Sequence, residues 1–92
     1  MDKINHGFYS SAIEFMDQSN NLMTVTGERH HACVAEIARM GLTEYYKKWH
    51  EDGFMCLIDS IPVFISREEA TEMVKEMGIP MRGSVLTSED LW

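Results

Sequence analysis

Long apolar runs are missing from this 92-residue chain. None approaches the roughly 20 residues that a membrane-spanning helix needs, so no membrane association is expected. The opening residues, Met1-Asp2-Lys3-Ile4-Asn5-His6, lack the basic and apolar regions of a secretory signal, which points to a cytoplasmic protein. Cysteine is scarce as well: Cys33 and Cys56 each lie inside an apolar segment, which reads as buried, reduced thiols rather than a disulfide framework. Basic residues are outnumbered, 8 against 15 acidic, for a formal charge of −7. A field of that sign repels a phosphate backbone and argues against nonspecific nucleic-acid binding. It leaves room for a local basic pocket that takes a small anion. Internal repeats and linker-like tracts are absent, so one domain over residues 1–92 is expected.

The remaining composition is that of a folded globular chain, with 45% apolar and 25% charged residues. Eight methionines suit gap-filling in a small core. Ser11-Ala12-Ile13-Glu14 has capping-box spacing and predicts a short first helix over about 11–18. Leu22 to Thr26 reads as a strand running into Gly27. From His30 to Met40, the positions Cys33, Val34, Ile37, Ala38 and Met40 recur at helical spacing, and Gly41 supplies the stop. Thr43 caps a further short helix, Glu44 to Glu51. Phe54–Ile58 and Ile61–Ile65 predict a hairpin around Asp59-Ser60, with Pro62 suited to an edge. Ser66-Arg67-Glu68-Glu69 is a second capping box, opening a helix that buries Ala70, Met73, Val74 and Met77 and closes at Gly78. Leu91 and Trp92 give the C-terminal segment something to dock. The fold class is α+β: a small antiparallel sheet with a β-hairpin packed against two to four short helices.

The densest chemical signal is Thr26-Gly27-Glu28-Arg29-His30-His31, at a strand-to-helix junction. A helix N-terminus presents unpaired N–H groups and partial positive charge. Gly27 permits close backbone approach, Arg29 can grip phosphate bidentately, and His30 and His31 gain charge near neutrality. No complete P-loop or dinucleotide fingerprint accompanies them. Adjacent histidines on a helix do not face one another, so no metal site is expected. Neither cysteine looks like a nucleophile, since both fall on apolar faces. Tyr45, Tyr46 and Trp49 could stack a ring, although aromatics at helical spacing more often fill core. Glu68, Glu72 and Glu76 stand at i, i+4 and i+8, which is either a solvated face or an acidic strip that docks a basic partner.

Three segments carry a resemblance: Thr26-Gly27-Glu28-Arg29-His30-His31-Ala32-Cys33; Gly53-Phe54 with Phe64-Ile65-Ser66-Arg67-Glu68-Glu69-Ala70; and Leu86-Thr87-Ser88-Glu89-Asp90-Leu91-Trp92. They resemble a family of short bacteriophage and prophage proteins with T-G-x-R-H-x-x-C, G-F…F-V-x-R-E-E-A and S-E-D-L patterns. The likeness covers residues 22–92, with residues 1–21 read as an N-terminal helical extension. Met77-Gly78-Ile79-Pro80 stands where members commonly show a glycine-glutamine pair, so a role carried by that glutamine does not transfer. The resemblance implies a phage protein acting in the host bacterial cytoplasm against host defences. It implies an anion site at Arg29-His30 with Arg67 as a second clamp.

The reading that unites these features is noncatalytic sequestration of a small phosphate-bearing ligand, a nucleotide or ADP-ribose-derived immune signal. Gly27, Arg29, His30, His31 and Arg67 would hold phosphate, and Tyr45, Tyr46 or Trp49 the base. No cofactor is called for, and a homo-oligomer is expected at this size. Two alternatives stand beside it. One is an inhibitor that docks a host defence protein through Glu68, Glu72 and Glu76. The other is a small nucleotide hydrolase using His30 or His31, against which stands the lack of a second convergent catalytic set.

Overall fold

The computed structural model describes residues 7–81 and 83–91. Four strands, β1 (Phe8–Met16), β2 (Leu22–Gly27), β3 (His50–Ile58) and β4 (Ile61–Ser66), form one antiparallel sheet in the order β2-β1-β3-β4. The helices α1 (His30–Arg39), α2 (Thr43–Lys48), α3 (Arg67–Glu76) and α4 (Ser88–Leu91) complete an α+β domain.

The segment expected as a first helix is a central strand, and this corrects the sequence reading. Ser11, Ile13 and Phe15 are fully buried on one face, while Glu14 and Met16 alternate onto the other. That period-2 pattern, supported by pairing with β2 on one side and β3 on the other, outweighs a local capping signal. β1 then turns through Asp17, whose Oδ1 accepts the Ser19 and Asn21 amides at 2.8 Å each.

The hairpin forms as expected but is longer on its first arm: β3 starts at His50, and the expected α2 stops at Lys48. Asp59 and Ser60 both take positive φ, 51° and 65°, as a two-residue type I′ loop requires. Pro62 lies on the edge strand β4, where a missing N–H is tolerated. Ser66 caps α3, its Oγ accepting the Glu69 amide at 3.2 Å.

Two apolar cores share the helix-covered face of the sheet. Under α1, Ile13, Phe15, Val25, Cys33 and Ile37 form one, with Tyr45 and Tyr46 packed against it. Under α3, Phe8, Phe54, Cys56, Ile65, Ala70, Val74, Leu86 and Leu91 form the other. The buried Leu91 therefore docks the C-terminal segment; Trp92 lies outside the described residues. Of the apolar positions at helical spacing, Cys33 and Ile37 are buried, while Val34, Ala38 and Met40 are exposed because α1 presses only one narrow stripe onto the sheet. Met77, also expected in the core, is exposed as the C-cap of α3.

Candidate functional site

The first residues of the two ten-residue helices meet. His30 opens α1 and Arg67 opens α3, and Arg67 Nη2 lies 3.1 Å from His30 Nδ1. On the other side of the same ring, His30 Nε2 is 2.8 Å from the Gly53 carbonyl of β3. The Phe54 ring meets it edge-on at 5.3 Å between centroids. These contacts select one tautomer. A carbonyl only accepts, so Nε2 carries the proton; a guanidinium only donates, so Nδ1 offers its lone pair. Burial lowers the His30 pKa below its ordinary value, and the neighbouring Arg67 pushes the same way, against the Gly53 contact and Asp52.

Asp52 continues the polar seam along β3. Its Oδ2 lies 3.8 Å from Arg67 Nη1, and its Oδ1 lies 3.9 Å from His50 Nε2. Both distances exceed hydrogen-bond length. Asp52 Oδ1 and Arg67 Nε are buried atoms without a hydrogen-bond partner. His50 donates through Nδ1 to the Tyr46 carbonyl at 3.0 Å, and its ring stacks on Tyr46 at 4.0 Å. A seam of charged and aromatic groups thus runs between the two apolar cores.

Tyr46 and His50, with Val34, Ile37, Thr43 and Lys47, line an open, mainly apolar depression of about 320 Å³ between α1 and α2. Tyr45 packs on the α1 core with Lys48 Nζ 5.3 Å from its ring centre. Trp49 is 48% exposed and stands outside that lining. Of the expected ring-stacking residues, Tyr46 lines this depression and Tyr45 and Trp49 do not.

Among the expected anion ligands, Arg29 is the extended N-cap of α1 and His31 is exposed on its first turn. Gly27 is crowded instead of open: a Cβ there would sit 3.2 Å from Ala32 Cβ and 3.3 Å from Cys33 Sγ. Its small size lets α1 close onto β2. Glu68, Glu72 and Glu76 are all exposed along α3, with Glu72 3.7 Å from Lys75. Cys33 and Cys56 are free and buried, and burial pushes the Cys33 thiol up to about 11, with Asp52 adding to the rise. Among the described residues, no group of three or more His, Cys, Asp or Glu side chains is placed to hold a metal ion.

Sequence reasoning passed over Asp52 and gave His50 and Gly53 no place in the site. The alternation His50-Asp52-Phe54-Cys56, all on the helix-covered face, would have extended the strand backward and put both polar groups beneath the helices.

A comparison with curated proteins and one with solved structures return no match. A family model, described as Phage T4 y16D protein, matches residues 5–92. The match takes in β1, which the sequence reading had set outside the shared region. The chain belongs to the phage T4 y16D protein family.

Proposed function

We propose that this phage protein binds a small phosphate-bearing ligand without turning it over, at the meeting point of the α1 and α3 N-termini. The carrying observation is the 3.1 Å contact of Arg67 with His30, which brings two helix starts and their basic residues to one place. Each N-terminus contributes about half a positive charge, and Arg67 adds a full one. In a chain of net charge −7, this local concentration of opposite sign favours an anion over its surroundings.

Asp52 competes for the same guanidinium, and magnitudes decide the competition. The side chains of Arg67 and Asp52 are 32% and 33% exposed, and they stand 3.8 Å apart. A pair of that kind contributes about 0–1 kcal/mol. A bidentate phosphate contact is a stronger, charge-assisted bond and would displace it. The depression beside Tyr46 and His50 offers an apolar berth for a base. Noncatalytic binding fits the engagement of both His30 nitrogens, which leaves the neutral ring no unengaged nitrogen to exchange a proton with a bound ligand.

Within this reading the protein acts in the host cytoplasm, sequestering a nucleotide or ADP-ribose-derived immune signal. It self-associates through β2, an uncharged edge strand without Pro or bulge. A thermal-shift screen of linear and cyclic nucleotides tests the binding. One nucleotide should raise the midpoint by a few °C, and Arg67→Ala and Arg29→Ala should each abolish the rise. Unchanged binding in both variants overturns the reading, and recovery of a cleaved nucleotide moves the case to an enzyme.

The exposed row Glu68, Glu72, Glu76 supports a second reading, an inhibitor that docks a basic surface of a host protein. Capture of a host protein that is lost on Glu72→Lys with Glu76→Lys would favour it. Retained activity in that variant would leave the row as solvated surface.

A further inference from the structure

We propose that His30 is a positioning residue, whose neutral ring aims the Arg67 guanidinium from the Gly53 carbonyl and whose protonation releases it. This deepens the anion-site reading by saying what sets the clamp, yet it rests on geometry that needs no ligand.

The chain of contacts is continuous and each link has a cause. The Gly53 carbonyl belongs to the backbone of an interior strand. The residue behind it is fixed as glycine, because a Cβ would stand 2.6 Å from Phe64 Cζ and would overlap the Ile65 carbonyl oxygen. That carbonyl takes the Nε2 proton of His30 at 2.8 Å. The opposite lone pair, on Nδ1, then has one orientation, and Arg67 Nη2 meets it at 3.1 Å. Edge-on packing against Phe54 holds the ring plane. A guanidinium has five N–H donors in a rigid fork, so fixing one nitrogen fixes where the others point.

Protonation reverses the last link. A doubly protonated imidazole has no lone pair for Arg67 and places a second positive charge 3.1 Å from it. The other group facing the ring, Asp52 on β3, gains a cationic neighbour in His30 and so holds Arg67 less. Cys33, one turn along α1, stays a neutral thiol throughout, because its pKa lies at about 11. Arg67 is therefore ordered above the His30 transition and free to swing below it. Burial sets that transition below the ordinary histidine value.

The variant His30→Gln separates positioning from simple support. A glutamine amide can donate to Gly53 with its nitrogen and accept from Arg67 with its oxygen, but it does not titrate. Nitrogen-15 NMR of the full chain reads the ring tautomer of His30 and the rotational freedom of the Arg67 guanidinium across pH. We expect the Nε2–H tautomer at neutral pH and slow guanidinium rotation that is lost on acidification. The Gln variant should keep slow rotation at every pH where the chain is folded. His30→Ala should free the guanidinium at neutral pH. With pyrophosphate as the probe, it should weaken binding by about 3- to 10-fold, the cost of ordering one long side chain on binding.

An Nδ1–H or doubly protonated ring at neutral pH overturns the proposal, as does Arg67 rotation that ignores the state of His30. The tautomer is read in the unmodified chain, so the test survives a failure of His30→Ala to fold. If pyrophosphate does not bind while the tautomer and rotation behave as expected, the anion reading fails and the positioning role stands.

Discussion

A single methyl group added at Gly53 is expected to destabilise the whole fold, although glycine-to-alanine changes in strands ordinarily help by about 0.5–1 kcal/mol. The new Cβ would stand 2.6 Å from Phe64 Cζ, the far end of a side chain that can rotate aside. It would also overlap the Ile65 carbonyl oxygen, which is backbone in the paired strand β4 and cannot yield without distorting the ladder. Overpacking of this kind costs about 1–3 kcal/mol. The backbone overlap puts the cost in the upper part of that range, so after the usual gain Gly53→Ala should lose about 1–2.5 kcal/mol, which for a domain of this size lowers the melting midpoint by roughly 5–20 °C. Circular dichroism melts of the variant and of Gly53→Ala with Phe64→Leu measure it. The second substitution should restore little, since the carbonyl and not the ring is the obstacle. A midpoint equal to or above that of the unmodified chain would refute the argument.

Removing the α3 cap by Ser66→Ala should lower urea-unfolding stability by about 1 kcal/mol, because the Glu69 amide loses its acceptor. Stability should also fall at both ends of the pH scale. With Cys33 raised from 9.0 to about 11, the unfolded thiol ionises first. Stability then declines as pH rises from 9 towards 11, by at most about 2–3 kcal/mol, and Cys33→Ala should flatten that limb. His30 is held below its ordinary 6.5, so the unfolded chain takes up its proton first and stability declines as pH falls through 6.5; His30→Gln should remove that limb. Light scattering should return a multiple of 10.6 kDa, and a mass of 10.6 kDa would overturn self-association.

Much of the architecture was legible because local pattern and tertiary demand agree. Ser66 and Glu69 mark the α3 start, Asp59-Ser60 the hairpin loop, and Cys33 with Ile37 the buried stripe of α1. The first strand was misread because Ser11 and Glu14 carry a helix-start signal, while the alternation of Ile13 and Phe15 acquires meaning only between β2 and β3. The site was half legible. Arg29, His30 and Arg67 are visible as types, but the meeting of residues 37 positions apart is a property of the sheet. Asp52 was hidden because polar residues at a strand start resemble a loop.

The most direct test of the central claim is an NMR titration of the isotope-labelled chain with pyrophosphate, following backbone amides and the Arg67 guanidinium. The account expects saturable shifts at the first turns of α1 and α3 and at Arg67, all lost in Arg67→Ala. Shifts confined to other surfaces, or shifts that persist unchanged in Arg67→Ala, would contradict it.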